Sequence, residues 1–423
     1  MNLKLLAFLL IILSFRFYFH YHNQTHLVDG QQLTFEASIL SQPQVVGGQQ
    51  VVSANYQNQK IKITTGRFPE LNYGDSVRIS GPVRILPQAG GLQPRALEGQ
   101  SNGARKISNK NGRALMYFPK IEMINRSSGI VQSGLQSINF LRQKLITLFS
   151  KTLPSPSSSL LLGIIVGIKE QMPKDFSDNL RTAGVFHVIA ASGMNVTLVG
   201  GFISTFFAFF LKRQIAIGLS ILGILFYATL AGLEPSIIRA SMMGILVFSA
   251  QILGRQTLAV NSLLLAGFGM IYIDPTILSD VGFQLSFAAT AGILYIKPLF
   301  GKQKGFIPEI ATTIAAQVAT LPILLANFGT YSIYSILVNG LVLWTVPILM
   351  MIGGIGTVLG LILEPLGQFL IYLCYPLLLY FQVIINFFGK AGGVLTVNNF
   401  PWQFSAGYYC LLVCALLIFN KKR

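Results

Sequence analysis

QIAIGLSILGILFYATLAGLEPSIIRASMMGILVFSAQIL, residues 214–253, carries charge only at Glu234 and Arg239. A helix needs about 20 mostly apolar residues to cross a bilayer's hydrocarbon layer. The stretch therefore predicts two crossings, approximately 214–233 and 235–253. Outward from it, further apolar runs predict spans at approximately 186–211, 257–273, 276–296, 310–329, 335–365, 367–389 and 404–419. Closed transmembrane β-barrels lack runs of this kind. The composition agrees: 52% hydrophobic residues, 11% charged residues and a mean hydropathy of +0.60 exceed what one soluble core can bury.

The formal net charge of +17 invites a nucleic-acid reading, but membrane proteins also gather Lys and Arg in short cytoplasmic loops. Applied here, that tendency puts Lys212-Arg213, Arg255, the cluster Lys297, Lys302 and Lys304, and Lys421-Lys422-Arg423 inside. The 335–365 stretch must then cross an odd number of times. One full crossing plus a broken or interfacial piece, permitted by Gly353, Gly354, Gly356 and Gly360, is the simplest solution. The same topology predicts a cytoplasmic C-terminus. Cys374, Cys410 and Cys414 lie in apolar helical stretches and read as buried, space-filling thiols.

Upstream, Leu3 to Phe19 reads as an uncleaved anchor helix. From His20 to Ser128 the chain turns polar and β-prone. Gln32 to Ile39 alternates, with Leu33, Phe35, Ala37 and Ile39 on one face and Gln32, Thr34, Glu36 and Ser38 on the other. Lys60 to Thr64 alternates too, as does the stretch holding Val77 and Ile79 after a Tyr73-Gly74-Asp75 turn. Short strands at this density fit a small OB-like barrel, and Gly90 to Gly112 reads as a long loop. The expected fold class is a polytopic α-helical membrane protein with an N-terminal extracytoplasmic β-barrel domain. Expected domains are the anchor (1–19), the OB-like domain (20–128), interfacial and re-entrant helices (129–184) and a multi-helix membrane domain (185–423). In the third, Val131, Leu135, Ile138, Leu141, Leu145 and Leu148 form one stripe, and Leu160 to Ile168 is too short to cross.

Residues 20–128 hold 12 Lys and Arg against 6 Asp and Glu. Long external domains translocate largely regardless of charge, so this excess asks for a polyanionic ligand or serves solubility. Lys60, Lys62, Arg67, Arg78 and Arg84, with Tyr73, are the candidate nucleic-acid contacts. Tyr56, Phe68 and Tyr117 are further stacking rings, with core packing as the competing role for each. His20, His22 and His26 read as a solvated trio.

Polar groups inside spans cost free energy and tend to face a cavity. The first cluster is His187, Ser192 and Asn195, with Ser192-Gly193 a plausible kink. Its hydrolytic reading is weakened because residues five apart on a helix point about 140° apart. The second is Glu234-Pro235, which opens a helix, with Arg239 about 7 Å further in. There the guanidinium could snorkel, pair with Glu234 or meet a phosphate. The third is Asn261, Asp274, Asp280 and Gln284, with Asp274 a candidate cap. The fourth is Gln317, Thr320, Asn327 and Asn339 around Pro322.

At these clusters the sequence resembles the ComEC family of competence DNA-uptake channels. The matching motifs are His187, Ala190, Ser192 and Gly193; Pro235, Ser236, Arg239 and Ala240; Asp274-Pro275; and Gly282 through Phe287. The resemblance covers Leu160 to about Pro347 and, more loosely, the β-domain. It implies a channel for single-stranded DNA in the bacterial cytoplasmic membrane, preceded by an OB-like external domain. Many relatives have a His where Asn195 stands. Many also carry a C-terminal metallo-β-lactamase-like domain, whereas this sequence stops at Arg423. With His20, His22, His26 and His187 as its histidines, it has no His-x-His-x-Asp-His run for a two-metal site. No cofactor or metal is expected, and any nuclease would be a separate protein, alongside a cytoplasmic helicase and uptake-pilus proteins. No Walker-type loop is present. A small-molecule or lipid transporter, an intramembrane hydrolase using Ser192, and a membrane anchor for partners remain as alternative classes.

Overall fold

The computed structural model describes residues 3–22, 27–39, 44–46, 49–56, 59–66, 68–69, 71, 75–86, 113–125, 130–168, 172–189, 192–255, 258–301, 307–397 and 400–421. The chain divides into two compact units, Lys4–Leu141 and Arg142–Arg423, the latter with Met1–Leu3.

The first unit opens with α1 (Leu3–His22), which leaves Leu10, Ile11 and Phe15 exposed. His20 is buried rather than solvated, His22 stacks on Tyr18 at 5.5 Å, and His26 lies outside the described residues. The expectation of a solvated trio is corrected at His20: two residues apart on a helix, His20 and His22 lie about 200° apart, so one is buried while the other is exposed. The strands are β1 (Gln32–Ser38), β2 (Gln44–Val46), β3 (Gln49–Tyr56), β4 (Gln59–Gly66), β5 (Ser76–Pro82), β6 (Arg84–Leu86), β7 (Arg113–Tyr117) and β8 (Lys120–Asn125). In β1 the alternation holds, with Leu33 and Phe35 buried and Gln32, Thr34 and Glu36 exposed. These two join Val52, Ile61, Ile63, Val77, Ile79 and Met116 in one core.

Among the described residues the strands form two sheets that do not close into a barrel: β1-β5-β8, and β2-β3-β4-β7-β6 with β4 and β7 parallel. The switch between sheets falls at Pro82-Val83. Proline has no N–H to continue a ladder, and Val83 instead exchanges backbone hydrogen bonds with Gln31 and Gly30. Such a corner joins two packed sheets. The Tyr73-Gly74 turn and the Gly90–Gly112 tract lie outside the described residues.

Helix α2 (Ile130–Thr152) contributes its last turns to the second unit, with Leu145, Leu148 and Phe149 buried. Next comes α3 (Ser157–Val166), only about 15 Å long at 1.5 Å per residue and buried on every side. Then α4 (Lys174–Thr182) buries Phe176 and Leu180 and exposes its charges. The remaining helices are α5 (Gly193–Ala208), α6 (Arg213–Leu230), α7 (Pro235–Ile252), α8 (Ala259–Ile273), α9 (Val281–Tyr295), α10 (Ile307–Phe328), α11 (Ser335–Val342), α12 (Thr345–Ile362), α13 (Glu364–Leu373), α14 (Tyr375–Lys390) and α15 (Trp402–Lys421). Two short strands, β9 (Thr330–Ser332) and β10 (Val394–Thr396), pair with each other. Six helices among the described residues are long and apolar enough to cross a membrane, or seven if α13 and α14, bent by 41°, form one broken span. This is a multi-pass helical membrane protein.

The 335–365 stretch resolves into the short α11 and the full-length α12. The break falls at Leu343-Trp344, not at the glycines. Gly353, Gly356 and Gly360 instead let neighbours approach: a Cβ on Gly367 would stand 2.1 Å from the Gly360 Cα, so α12 and α13 meet backbone to backbone. Cys374 is buried, whereas Cys410 and Cys414 are exposed. The expectation of three buried thiols is corrected here. Helix α15 packs through Tyr408, Tyr409, Leu412 and Leu416, and 410 and 414 fall on the opposite face.

Candidate functional site

The two sheets of the N-terminal unit present different charges to solvent. On β4, Ile61, Ile63 and Thr65 point inward, so Lys62 and Thr64 share the outer face, while Lys60 stands in register with Asn55. Strand register places Lys62, Leu115 and Arg84 in one row across three strands. Lys62 and Arg84 are thus about 10 Å apart at roughly 4.8 Å per strand. The next row holds Thr64 beside Tyr117, whose ring is 43% exposed. Ser53 and Val51 continue these rows on β3. Among the described residues no acidic one stands in these two rows, so this part of the face is basic with an aromatic ring beside it.

Arg78 belongs to the other sheet. It stands in register between Glu36 and Glu122 and pairs with Glu36 at 2.6 Å. That hydrogen bond and charge hold the Arg78 guanidinium above its ordinary pKa. A hydrogen bond from Lys120 likewise lowers the Glu122 carboxyl. This face is balanced rather than basic. Tyr56 packs on Phe35 at 4.8 Å, and Phe68 is exposed. Arg67 and Tyr73 lie outside the described residues.

In the membrane unit, His187 sits exposed in a short 3-10 turn, Phe186–Val188, and not on the helix bearing Ser192. Ser192 donates its hydroxyl to Asn195 Oδ1 at 3.1 Å, and the buried Asn195 donates through Nδ2 to Ile164 O at 2.8 Å. The amide thereby ties the carboxyl end of α3 to the amino end of α5. Ser192 is hydrogen-bonded to an amide oxygen, not to an imidazole, so the hydrolase alternative gains no support.

Arg239 is buried in α7. Its Nε donates to Ser286 Oγ at 2.8 Å and its Nη1 to Thr290 Oγ1, both on α9. Thr290 was missed from sequence, yet it lies one turn beyond Ser286 on the same face. Glu234 holds the position just before α7 without a side-chain capping bond, and Asn261 is half-buried in the first turn of α8.

The carboxylates of the third cluster work at helix ends. Asp274 accepts from the Thr276 amide and hydroxyl, and Asp280 caps α9 by accepting from Phe283 N at 2.9 Å. Gln284 donates to Leu278 O at 2.8 Å, fastening that turn.

Gln317 and Asn339 meet through Ser335. Gln317 Nε2 donates to Ser335 Oγ at 2.5 Å, Asn339 Nδ2 lies 3.4 Å from the same oxygen, and Tyr331 donates to Gln317 Oε1 at 2.7 Å. Nearby, Pro322 lacks the N–H that would bond Val318 O. Tyr408 supplies that bond at 2.8 Å, and Tyr409 donates to Ala319 O at 2.8 Å. Sequence reading missed both tyrosines because nothing local connects them to the proline. Among the described residues no group of three or more His, Cys, Asp or Glu is placed to hold a metal ion.

The family model described as competence protein matches residues 164–422. The chain belongs to the competence protein family. Among curated relatives, this competence protein is 26% identical over 201 residues to ComE operon protein 3 of Bacillus subtilis (strain 168), covering 47% of the chain and 26% of that relative. It is 22% identical over 343 residues to the uncharacterized protein YcaI of Escherichia coli (strain K12), covering 73% of the chain and 45% of that relative. The competence protein thus spans less than half the length of either. No solved structure matches it. The matched region holds the Asn195, Arg239 and Gln317 clusters; the basic sheet face lies upstream of it.

Proposed function

We propose that this competence protein carries single-stranded DNA inward across the bacterial cytoplasmic membrane during natural transformation, as a conduit and not as an enzyme. The observation that carries this reading is the outer face of the five-stranded sheet, where Lys62 and Arg84 share one register row, Tyr117 stands in the next, and no acidic residue stands in either row. Cations without carboxylate competitors attract phosphates, and an exposed ring offers a base a stacking surface. In this reading the β-domain lies outside the membrane and the C-terminus inside. The polar intramembrane residues His187, Ser192, Asn195, Glu234, Arg239, Asn261, Asp274, Asp280, Gln284, Gln317 and Asn339 line or shape the passage. A separate nuclease, a cytoplasmic helicase and uptake-pilus proteins are the partners.

The test is transformation frequency in a competent host carrying the Lys62→Glu/Arg84→Glu variant at matched membrane abundance. Reversing two contact charges is expected to lower it by about tenfold or more. An unchanged frequency in that variant, or in a deletion strain, overturns the reading.

A further inference from the structure

Within the reading of the chain as a DNA conduit, on which this rests, we infer that Arg239 and the amino end of α5 form a subsite for one backbone phosphodiester of the passing strand. Arg239 is only 8% exposed, and every partner it has is neutral: Ser286 Oγ, Thr290 Oγ1 and, at 3.8 Å, Met243 Sδ. Thr290 gives its own proton to Ser286 O at 2.9 Å, which turns its lone pairs toward the guanidinium. No carboxylate pairs with Arg239 among the described residues, and Nη2 has no acceptor there. A buried cation lacking a counter-ion is costly unless an anion completes the site.

Nη2 points at the start of α5. A Cβ on Gly193 would stand 3.2 Å from it, so glycine at this position makes room for the guanidinium. Ser192 occupies the cap position in extended conformation (φ −104°, ψ 169°) but does not cap the helix, because its hydroxyl goes to Asn195. The first amides of a 16-residue helix are therefore left without a side-chain cap. The start of α5 without a side-chain cap, the positive end of its dipole and a guanidinium edge lie side by side at Gly193, which is the chemistry that binds a phosphate oxygen. The neutral hydroxyls hold the arginine in place without neutralising it. A singly charged diester suits such a site, since it can be bound and then released to the next phosphate.

The experiment uses the full chain in phosphatidylcholine nanodiscs, with Lys62→Gln and Arg84→Gln introduced to suppress binding at the sheet. Thermal unfolding is followed with a short oligothymidylate and with its uncharged methylphosphonate counterpart. Stabilisation by the charged oligomer alone is expected. Half-maximal stabilisation should require on the order of tenfold more oligomer in Arg239→Gln, with partial rescue in Arg239→Lys. Gly193→Ala, which keeps the charge but crowds Nη2, should weaken the response too, and covers the case in which Arg239→Gln fails to fold. Equal responses to both oligomers, or no response, overturn the subsite even without variants. So does stabilisation that depends on Arg239 but tracks added phosphatidylglycerol without DNA, because the occupant is then a lipid headgroup. If the sheet variant abolishes uptake while Arg239→Gln leaves it intact, the subsite falls and the conduit stands. If deleting the chain leaves uptake unchanged, the conduit itself falls.

Discussion

Removing the Lys62 and Arg84 charges as Lys62→Gln/Arg84→Gln should change how DNA binding responds to salt, and by an amount the sheet register fixes. The two side chains lie in one row on the exposed face, with Leu115 between them. Each can neutralise a separate phosphate. For single strands the slope of log affinity against log salt is about −0.7 per phosphate contacted, so losing two contacts should flatten it by roughly 1.4. Between 50 and 200 mM salt the wild type should thus lose about sevenfold more affinity than the variant. The assay is fluorescence anisotropy of a labelled oligonucleotide titrated with the full chain in nanodiscs at several salt concentrations. Arg78→Gln is the control, since Arg78 is paired with Glu36 on the other sheet, and it should leave the slope unchanged. A double variant with the wild-type slope, or an Arg78 variant that flattens it equally, refutes the reasoning.

Tyr408→Phe should lower stability by about 1–3 kcal/mol, because Val318 O loses its donor inside the membrane unit. In a Pro322→Ala background the restored N–H can take that carbonyl, so the cost should shrink. A double-mutant cycle on thermal unfolding reads the coupling. Gly184→Ala should cost about 2 kcal/mol or more, since Gly184 has φ +77° and its added Cβ would stand 2.6 Å from Ser335 Cβ; a neutral result would show that the turn can relax. Asn195→Ala should cost about 1–3 kcal/mol by leaving Ile164 O without its donor. Asn195→Asp, which also lacks that N–H, should not rescue it in the same measurement.

Most spans were legible because hydropathy is a local property: the runs at 214–233 and 235–253 became α6 and α7 with boundaries shifted by a few residues, although α8, at 15 residues, is shorter than the crossing expected at 257–273. Caps are local too: Asp274, read as a candidate cap, accepts from the Thr276 amide two residues on, whereas Asp280, read as a polar intramembrane group, caps α9 as well. What the sequence hid was pairing across distance. Alternation identifies β4 and β7 as strands, but nothing near Lys62 says that Leu115 and then Arg84 lie beside it. Arg78 looked equivalent to Arg84 until strand order put them on different sheets. The glycines of α12 looked like a hinge because glycine weakens helices in isolation. In the packed unit they are where α3 and α13 come close, and tertiary contact outweighs that local cost.

The two basic sites differ in how they respond to solvent, and that difference has a functional consequence. Lys62 and Arg84 are exposed, so their attraction for a strand is screened over about 10 Å at 0.1 M salt and competes with abundant counterions. Such contacts capture a polymer broadly and let it slide. Arg239 is shielded from bulk ions, and its attraction is not diluted in the same way. If a strand meets both, capture should weaken steeply with salt while passage, once begun, should not. Uptake measured from a pre-bound strand should therefore be nearly salt-independent even where fresh binding has collapsed, an asymmetry that two sites of the same exposure would not produce.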